Sequence, residues 1–303
     1  MKLQKAAVLM LLGIFLFSAF GCTDNQEVSS PKGKIQVYTS IYPIYYLTSR
    51  VAGNAAEVKE LLPAASDPHS WEPSPKDITE LQEAQVFIYT GAGLEPWAQD
   101  VADSLEGSGT KVLEILSTLY KGNSSQKDPH FWLDPLLAQK AAEAVKDLLV
   151  DADPNNRSAY ENNYQKLASE LEALHGEYTK ALSQCSIKEF VVTHSAFGYL
   201  AERYGLKQIS IMGISPESEP SPARLAELAE QLKDKNIKYI FTEPFISPKA
   251  AEILGEETGA KLLVLNPIGS LTKEQQKEGK DYMILMRENL EQLKVALECK
   301  GKK

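Results

Sequence analysis

The sequence predicts an α/β fold of two parallel-sheet lobes, each of βαβα type, joined by one long rigid helix. Three observations carry that prediction. Short β-type apolar runs alternate with helical patterns along the chain. The alternation occurs twice, and βαβα order calls for parallel strands covered by helices. Between the two series lies a stretch of about thirty residues, 153–183, with apolar side chains at helical spacing and no proline after Pro154.

The 303 residues, 43% apolar and 24% charged, suit one large or two medium domains. An aromatic content of 8% supplies bulk for real cores. The net charge of −9 argues against a nucleic-acid partner, because phosphate binding needs clustered Lys and Arg.

Residues 1–21 read as a signal peptide. Lys2 and Lys5 precede an apolar run from Ala6 to Phe20 that is short for a bilayer span. Gly21-Cys22 ends that run as a bacterial lipobox does, so cleavage would leave Cys22 for lipidation. Phe20 is bulky for such a site and Ala19 stands where Leu is commoner, so secretion without a lipid is the alternative. Residues 22–34 are polar, lack periodicity and read as a flexible tether. Export places the other cysteines, Cys185 and Cys299, in an oxidising compartment, where they are either disulfide-bonded or two unpaired structural thiols.

The first lobe, 35–152, contains the strand candidates IQVYTSI (35–41), VKELL (58–62), VFIYTG (86–91) and KVLEI (111–115). Ser74-Pro75 supplies an N-cap and a helix-starting proline between them. In the linking helix, 153–183, apolar residues recur at Tyr160, Tyr164, Leu167, Leu171, Leu174 and Tyr178. A rod of this kind, without a Gly-rich hinge, lets the lobes move little. The second lobe, 184–303, repeats the order with EFVVTH (189–194), KQISIM (207–212), YIFTE (239–243) and KLLVLN (261–266). Ser221-Pro222 and Ser247-Pro248 mark its helix starts.

Two of only four histidines sit in one repeated setting, DPHSWEPSP (67–75) and DPHFWLDP (128–135). His69 follows the second strand, His130 follows the fourth, and His194 closes the fifth. Glu243 and Asn266 close the seventh and eighth. In open α/β sheets ligands bind beyond the carboxyl ends of the strands, and all five residues fall on that rim. Asp67, Asp128 or Asp134 could accept the second imidazole N–H, or Asp67 and Asp128 could simply cap turns. Trp71 and Trp132 could shield the rim from water or could pack as ordinary core. His175, inside the linking helix, reads as a structural residue.

Together DPHSWEPSP, DPHFWLDP, VVTHSAFGYLAERYGL, SPESEPSPARLAELAEQLK and FTEPFISPKAAEILGEETGAKLLVLNP resemble the metal-binding receptors of bacterial zinc and manganese ABC importers. The resemblance covers nearly all of the mature chain. It implies a metal held in the cleft between two lobes, with His69, His130 and His194 as ligands, and delivery of that metal to an ABC permease. Such a receptor is exported and lipid-anchored on the outer face of the cytoplasmic membrane, or secreted or periplasmic without the lipid, and works as a monomer. Three neutral imidazoles suit Zn2+, while Mn2+ sites lean on carboxylate oxygens, so zinc is the expected cargo. Manganese-type relatives commonly carry glutamate at the position of His194.

Two departures stand out. Relatives often place Asp at the position of Asn266 or Glu at that of Gly269, and this chain has neither. The fourth ligand would then be a water or a nearby carboxylate such as Glu243, though Glu243 reads more readily as support behind a histidine or as a salt-bridge residue. The loop STLYKGNSSQK (117–127) lacks the His-rich insert of many zinc-type relatives. An exported hydrolase with a three-histidine zinc–water centre is the alternative reading. No HExxH or GxSxG run supports it, and Glu243 is its one obvious base. A surface adhesin with a structural metal is a third.

Overall fold

A computed structural model describes residues 33–121, 128–216 and 219–300. The leader and Cys22 therefore lie outside the described residues, as do all of the tether but Gly33 and Lys34 and most of the 117–127 loop. Among the described residues no helix is long and apolar enough to cross a membrane.

The first lobe runs β1 (Gln36–Thr39), α1 (Tyr42–Ala52), β2 (Glu57–Glu60), α2 (Pro75–Gln82), β3 (Val86–Tyr89), α3 (Ala98–Ser104), β4 (Lys111–Glu114), α4 (Ile115–Leu119) and α5 (Pro135–Ala152). Its four strands are parallel in the order β2-β1-β3-β4. Helix α6 (Arg157–Leu182) follows. The second lobe comprises β5 (Glu189–Val192), α7 (Gly198–Arg203), β6 (Lys207–Ser210), α8 (Pro222–Asp234), β7 (Tyr239–Thr242), α9 (Lys249–Thr258), β8 (Lys261–Val264), α10 (Lys273–Lys277) and α11 (Tyr282–Ala296). Its strands are also parallel, in the equivalent order β6-β5-β7-β8. Seven of the eight strands fall within the segments predicted from β-type patterning, and β2 begins one residue ahead of its segment, at Glu57. In each sheet the second strand leaves the first on one side and the third returns on the other. That reversal opens a crevice beyond the carboxyl ends of the two central strands.

Local chemistry explains the helix starts. Ser74 and Asp77 cap α2 reciprocally, and Ser221 caps α8 through the Arg224 N–H. At Ser247-Pro248 the start shifts by one residue. Pro248 is the N-cap, α9 begins at Lys249, and the Ser247 hydroxyl only reaches the Lys249 N–H, at 3.5 Å.

The linking segment opens on a 3-10 turn, Pro154–Asn156, before the 26 residues of α6. The Asp153 carboxylate takes the Asn156 amide and the Tyr160 hydroxyl, closing that turn. At 1.5 Å per residue α6 spans about 39 Å. It is not a bare strut. It packs along α5 and α1 at one end and against α11 at the other. Tyr160, Leu167, Leu171, Leu174 and Tyr178 are fully buried, so one apolar core runs unbroken from Val37 in the first lobe to Leu293 in the second. Two lobes that share a core resist hinge opening. Cys185 and Cys299 are joined by a disulfide that fastens the segment after α6 to the segment after α11.

Candidate metal centre

The repeated Asp-Pro-His motif folds as the same local turn twice. Asp67 Oδ1 accepts from the His69 N–H at 3.0 Å, and Asp128 Oδ1 accepts from the His130 N–H at 2.9 Å. An aspartate bonding the backbone two residues on is an Asx-turn, which fixes where the histidine leaves the chain. Beyond that the copies diverge. The His130 ring folds back so that Nδ1 lies 2.7 Å from Asp128 Oδ1. Asp67 spends its other oxygen on the Ser70 hydroxyl, at 3.3 Å. The turn-capping and ring-orienting roles left open for these aspartates are thus both realised at Asp128, and only the first at Asp67. Asp134 has a third role. It caps α5 through the Leu136 N–H and pairs with Arg203 of the other lobe at 2.7 Å.

His194 and Glu243 are aligned by strand register. Val192 pairs with Phe241 across the central strands β5 and β7, so residues two further on emerge side by side at the crevice. The Glu243 oxygens lie 2.8 Å and 2.7 Å from His194 Nδ1, and Oε1 also accepts from the His194 N–H at 3.1 Å. With Nδ1 donating to a carboxylate in both His130 and His194, each ring turns Nε2 inward, and the two Nε2 atoms are 3.4 Å apart.

His69 completes the set from the loop between β2 and α2. Its ring centroid is 5.5 Å from that of His130 and 5.7 Å from that of His194. One nitrogen of each ring lies within 4.8 Å of the others. Burial lowers the His69 pKa to about 3, helped by the neighbouring His130 and His194 charges. Burial also lowers that of His130, against the pull of Asp128. Imidazoles held neutral in a shielded pocket have free lone pairs, as a transition-metal ion requires.

The rings face a cavity of about 30 Å³ also walled by Trp132, Pro267, Gly269 and Ser270. It adjoins a larger cleft of about 410 Å³, the two sharing Asp67, Pro216, Phe245 and Ile246. Trp132 is fully buried beside His130 and donates from Nε1 to the Pro267 carbonyl at 2.7 Å, stitching the lobes together at the cavity wall. Trp71 packs edge-on against Trp97 within the first lobe.

The two fourth-ligand candidates are placed differently from each other. Glu243 reaches the wall but its carboxylate serves His194. Asn266 does not line the cavity. Its side-chain oxygen accepts from the Ile268 N–H, and its backbone exchanges hydrogen bonds with Asn289. His175 stacks on Tyr204, with Nδ1 3.2 Å from the phenol oxygen, apart from the cluster. Sequence reasoning missed Ser270 as a wall residue, since a lone serine in a loop carries no signal.

Residues 37–296 match the family of the periplasmic zinc-uptake complex component A, ZnuA. Over 304 residues the chain is 37% identical to the high-affinity zinc uptake system protein ZnuA of Bacillus subtilis, covering 94% of this chain and 95% of that protein. It is also 37% identical over 325 residues to the zinc-binding protein AdcA of Streptococcus pyogenes, covering 99% of this chain. It spans only 63% of that relative's length. The crystal structure of the Zn(II)-bound ZnuA-like domain of Streptococcus pneumoniae AdcA superposes with a TM-score of 0.79 at 39% identity, over 88% of this chain and all of that domain. By sequence and by fold, the chain belongs to the ZnuA family of zinc-uptake components.

Proposed function

We propose that the chain is a receptor that captures Zn2+ outside the cytoplasmic membrane and hands it to the permease of an ABC importer. His69, His130 and His194 bind the ion as cargo, and Cys22 carries the lipid that keeps the receptor at the membrane as a monomer. The observation that carries this reading is the convergence of three imidazole nitrogens from two lobes within 4.8 Å. The donor set fits the cargo. Zinc takes neutral nitrogen ligands at tetrahedral spacing, while manganese favours oxygen donors that this cluster does not offer. The chain acts by binding and release. Glu243, the one base a hydrolase could use, is committed to the His194 ring and backbone.

Capture begins in the larger cleft, beside Asp67 and the partly buried His69. His69 and His130, kept neutral by burial, take the ion without first shedding protons. Release falls to His69. Its ring pairs with no carboxylate among the described residues, whereas His130 and His194 are each held from behind. Its loop has no helix or strand between Leu61 and Ser74, so a docked permease can draw it away while the shared core stays intact. A zinc titration of the full mature chain against a chromophoric chelator tests the assignment. His194→Ala should lose at least a hundredfold in affinity, and an unchanged affinity would place the site elsewhere.

A further inference from the structure

Three imidazoles leave a tetrahedral ion one ligand short. Among the described residues the two carboxylates lining the cavity are turned to other groups, although Glu243 Oε2, 2.7 Å from His194 Nδ1, makes no hydrogen bond. Asp67 is engaged by the His69 N–H and the Ser70 hydroxyl, and Glu243 sits on the far nitrogen of His194. Ser270 is different. It is fully buried, it lines the cavity with the three rings, and its hydroxyl has no hydrogen-bond partner in the protein. Gly269 beside it puts no side chain in the way, and a Cβ there would approach Pro68 Cγ at 3.0 Å. A buried hydroxyl left unpaired costs roughly 1–3 kcal/mol, which a polar occupant of the cavity recovers. The cavity's 30 Å³ has room for about one water-sized group beside the rings.

Resting on the zinc-receptor reading above, we propose that Ser270 Oγ hydrogen-bonds a solvent molecule that is the ion's fourth ligand, and that this position exchanges for small monodentate anions. The cavity shares four wall residues with the larger cleft, so an exchanging ligand would arrive from that side. An incoming donor can then bind before any histidine leaves, which lowers the barrier to handing the ion on.

The test uses the mature protein loaded with Co2+, whose visible absorption reports coordination, titrated with azide near neutral pH. Azide should shift the cobalt bands saturably. Ser270→Ala should keep cobalt binding but need about fivefold more azide, as expected for one lost hydrogen bond. Gly269→Glu, which puts a carboxylate beside the cavity, should keep the tetrahedral bands and lose the azide response. No azide effect on the wild type, an unchanged azide affinity in Ser270→Ala, or a full response in Gly269→Glu would each overturn the proposal. Failure of the receptor reading looks different, as cobalt bands that never form or that survive His194→Ala.

Discussion

Replacing Glu243 by glutamine keeps the shape of a buried side chain and removes its charge. In the native site both carboxylate oxygens lie within 2.8 Å of His194 Nδ1, an arrangement that favours the metal-binding tautomer, with the proton on Nδ1 and the lone pair on Nε2. A glutamine can turn only one acceptor toward that proton. When its amide nitrogen faces the ring instead, the favoured tautomer carries the proton on Nε2, pointing at the ion. Loss of such a supporting carboxylate weakens metal binding by about 10–100-fold, or about 1.4–2.7 kcal/mol at 1.36 kcal/mol per tenfold. The metal-free fold should change by less than about 1 kcal/mol, because the hydrogen bond from the His194 N–H survives. The assay pairs competitive zinc titration with urea denaturation of the metal-free protein. Zinc affinity within threefold of wild type would refute the positioning role. A loss as deep as that of His194→Ala would make Glu243 a ligand.

Other parts of the molecule give independent checks. Cys185→Ser with Cys299→Ser opens a cross-link across 114 residues and should cost about 2–5 kcal/mol in chemical denaturation. Zinc affinity should hold within about threefold, since the bridge precedes β5 whereas His194 follows it. Arg203→Ala strands the Asp134 carboxylate, which is 2% exposed, and should cost about 2–3 kcal/mol, less than for a wholly buried pair because the arginine is 34% exposed. Equilibrium unfolding of the metal-free protein measures that loss, and a change below about 0.5 kcal/mol would remove the pair from the interlobe seam. Burial alone raises the Glu60 pKa from 4.5 to about 8. The native state thus keeps a proton that the unfolded chain releases, and stability falls as pH climbs from 4.5 to 8. Partial solvent contact holds the effect to about 2 kcal/mol. Glu60→Gln should therefore be more stable than wild type at pH 8 and about equal to it near pH 4.5, by urea melts at both values.

Local chemistry made much of this legible in the sequence. β-branched and aromatic runs marked the strands, and Ser-Pro steps marked α2 and α8. The matched Asp-Pro-His turns flagged two site residues because an Asx-turn is a property of adjacent residues. His194 was legible from its place at a strand end. What stayed hidden depends on contacts between distant segments. That Glu243 lies behind His194 follows from the Val192–Phe241 register, which no local pattern states. Asn266 occupies the same kind of strand end, yet its strand β8 is at the sheet edge, and its side-chain oxygen is spent on the Ile268 turn. Asp134 reads as one more aspartate near a histidine, but Arg203, 69 residues away, turns it into a lobe-to-lobe contact. Periodicity showed the linking helix as a rod. Its burial against α1, α5 and α11, which joins the two cores, is a fact of tertiary packing.

X-ray absorption on the zinc-loaded mature protein tests the central claim most directly. Three imidazole nitrogens and one further light ligand are expected, at about 2.0–2.2 Å, with the imidazole scattering cut to two rings in His69→Ala. A shell dominated by carboxylate oxygen, or one still containing three imidazoles in that variant, would contradict the three-histidine interlobe site.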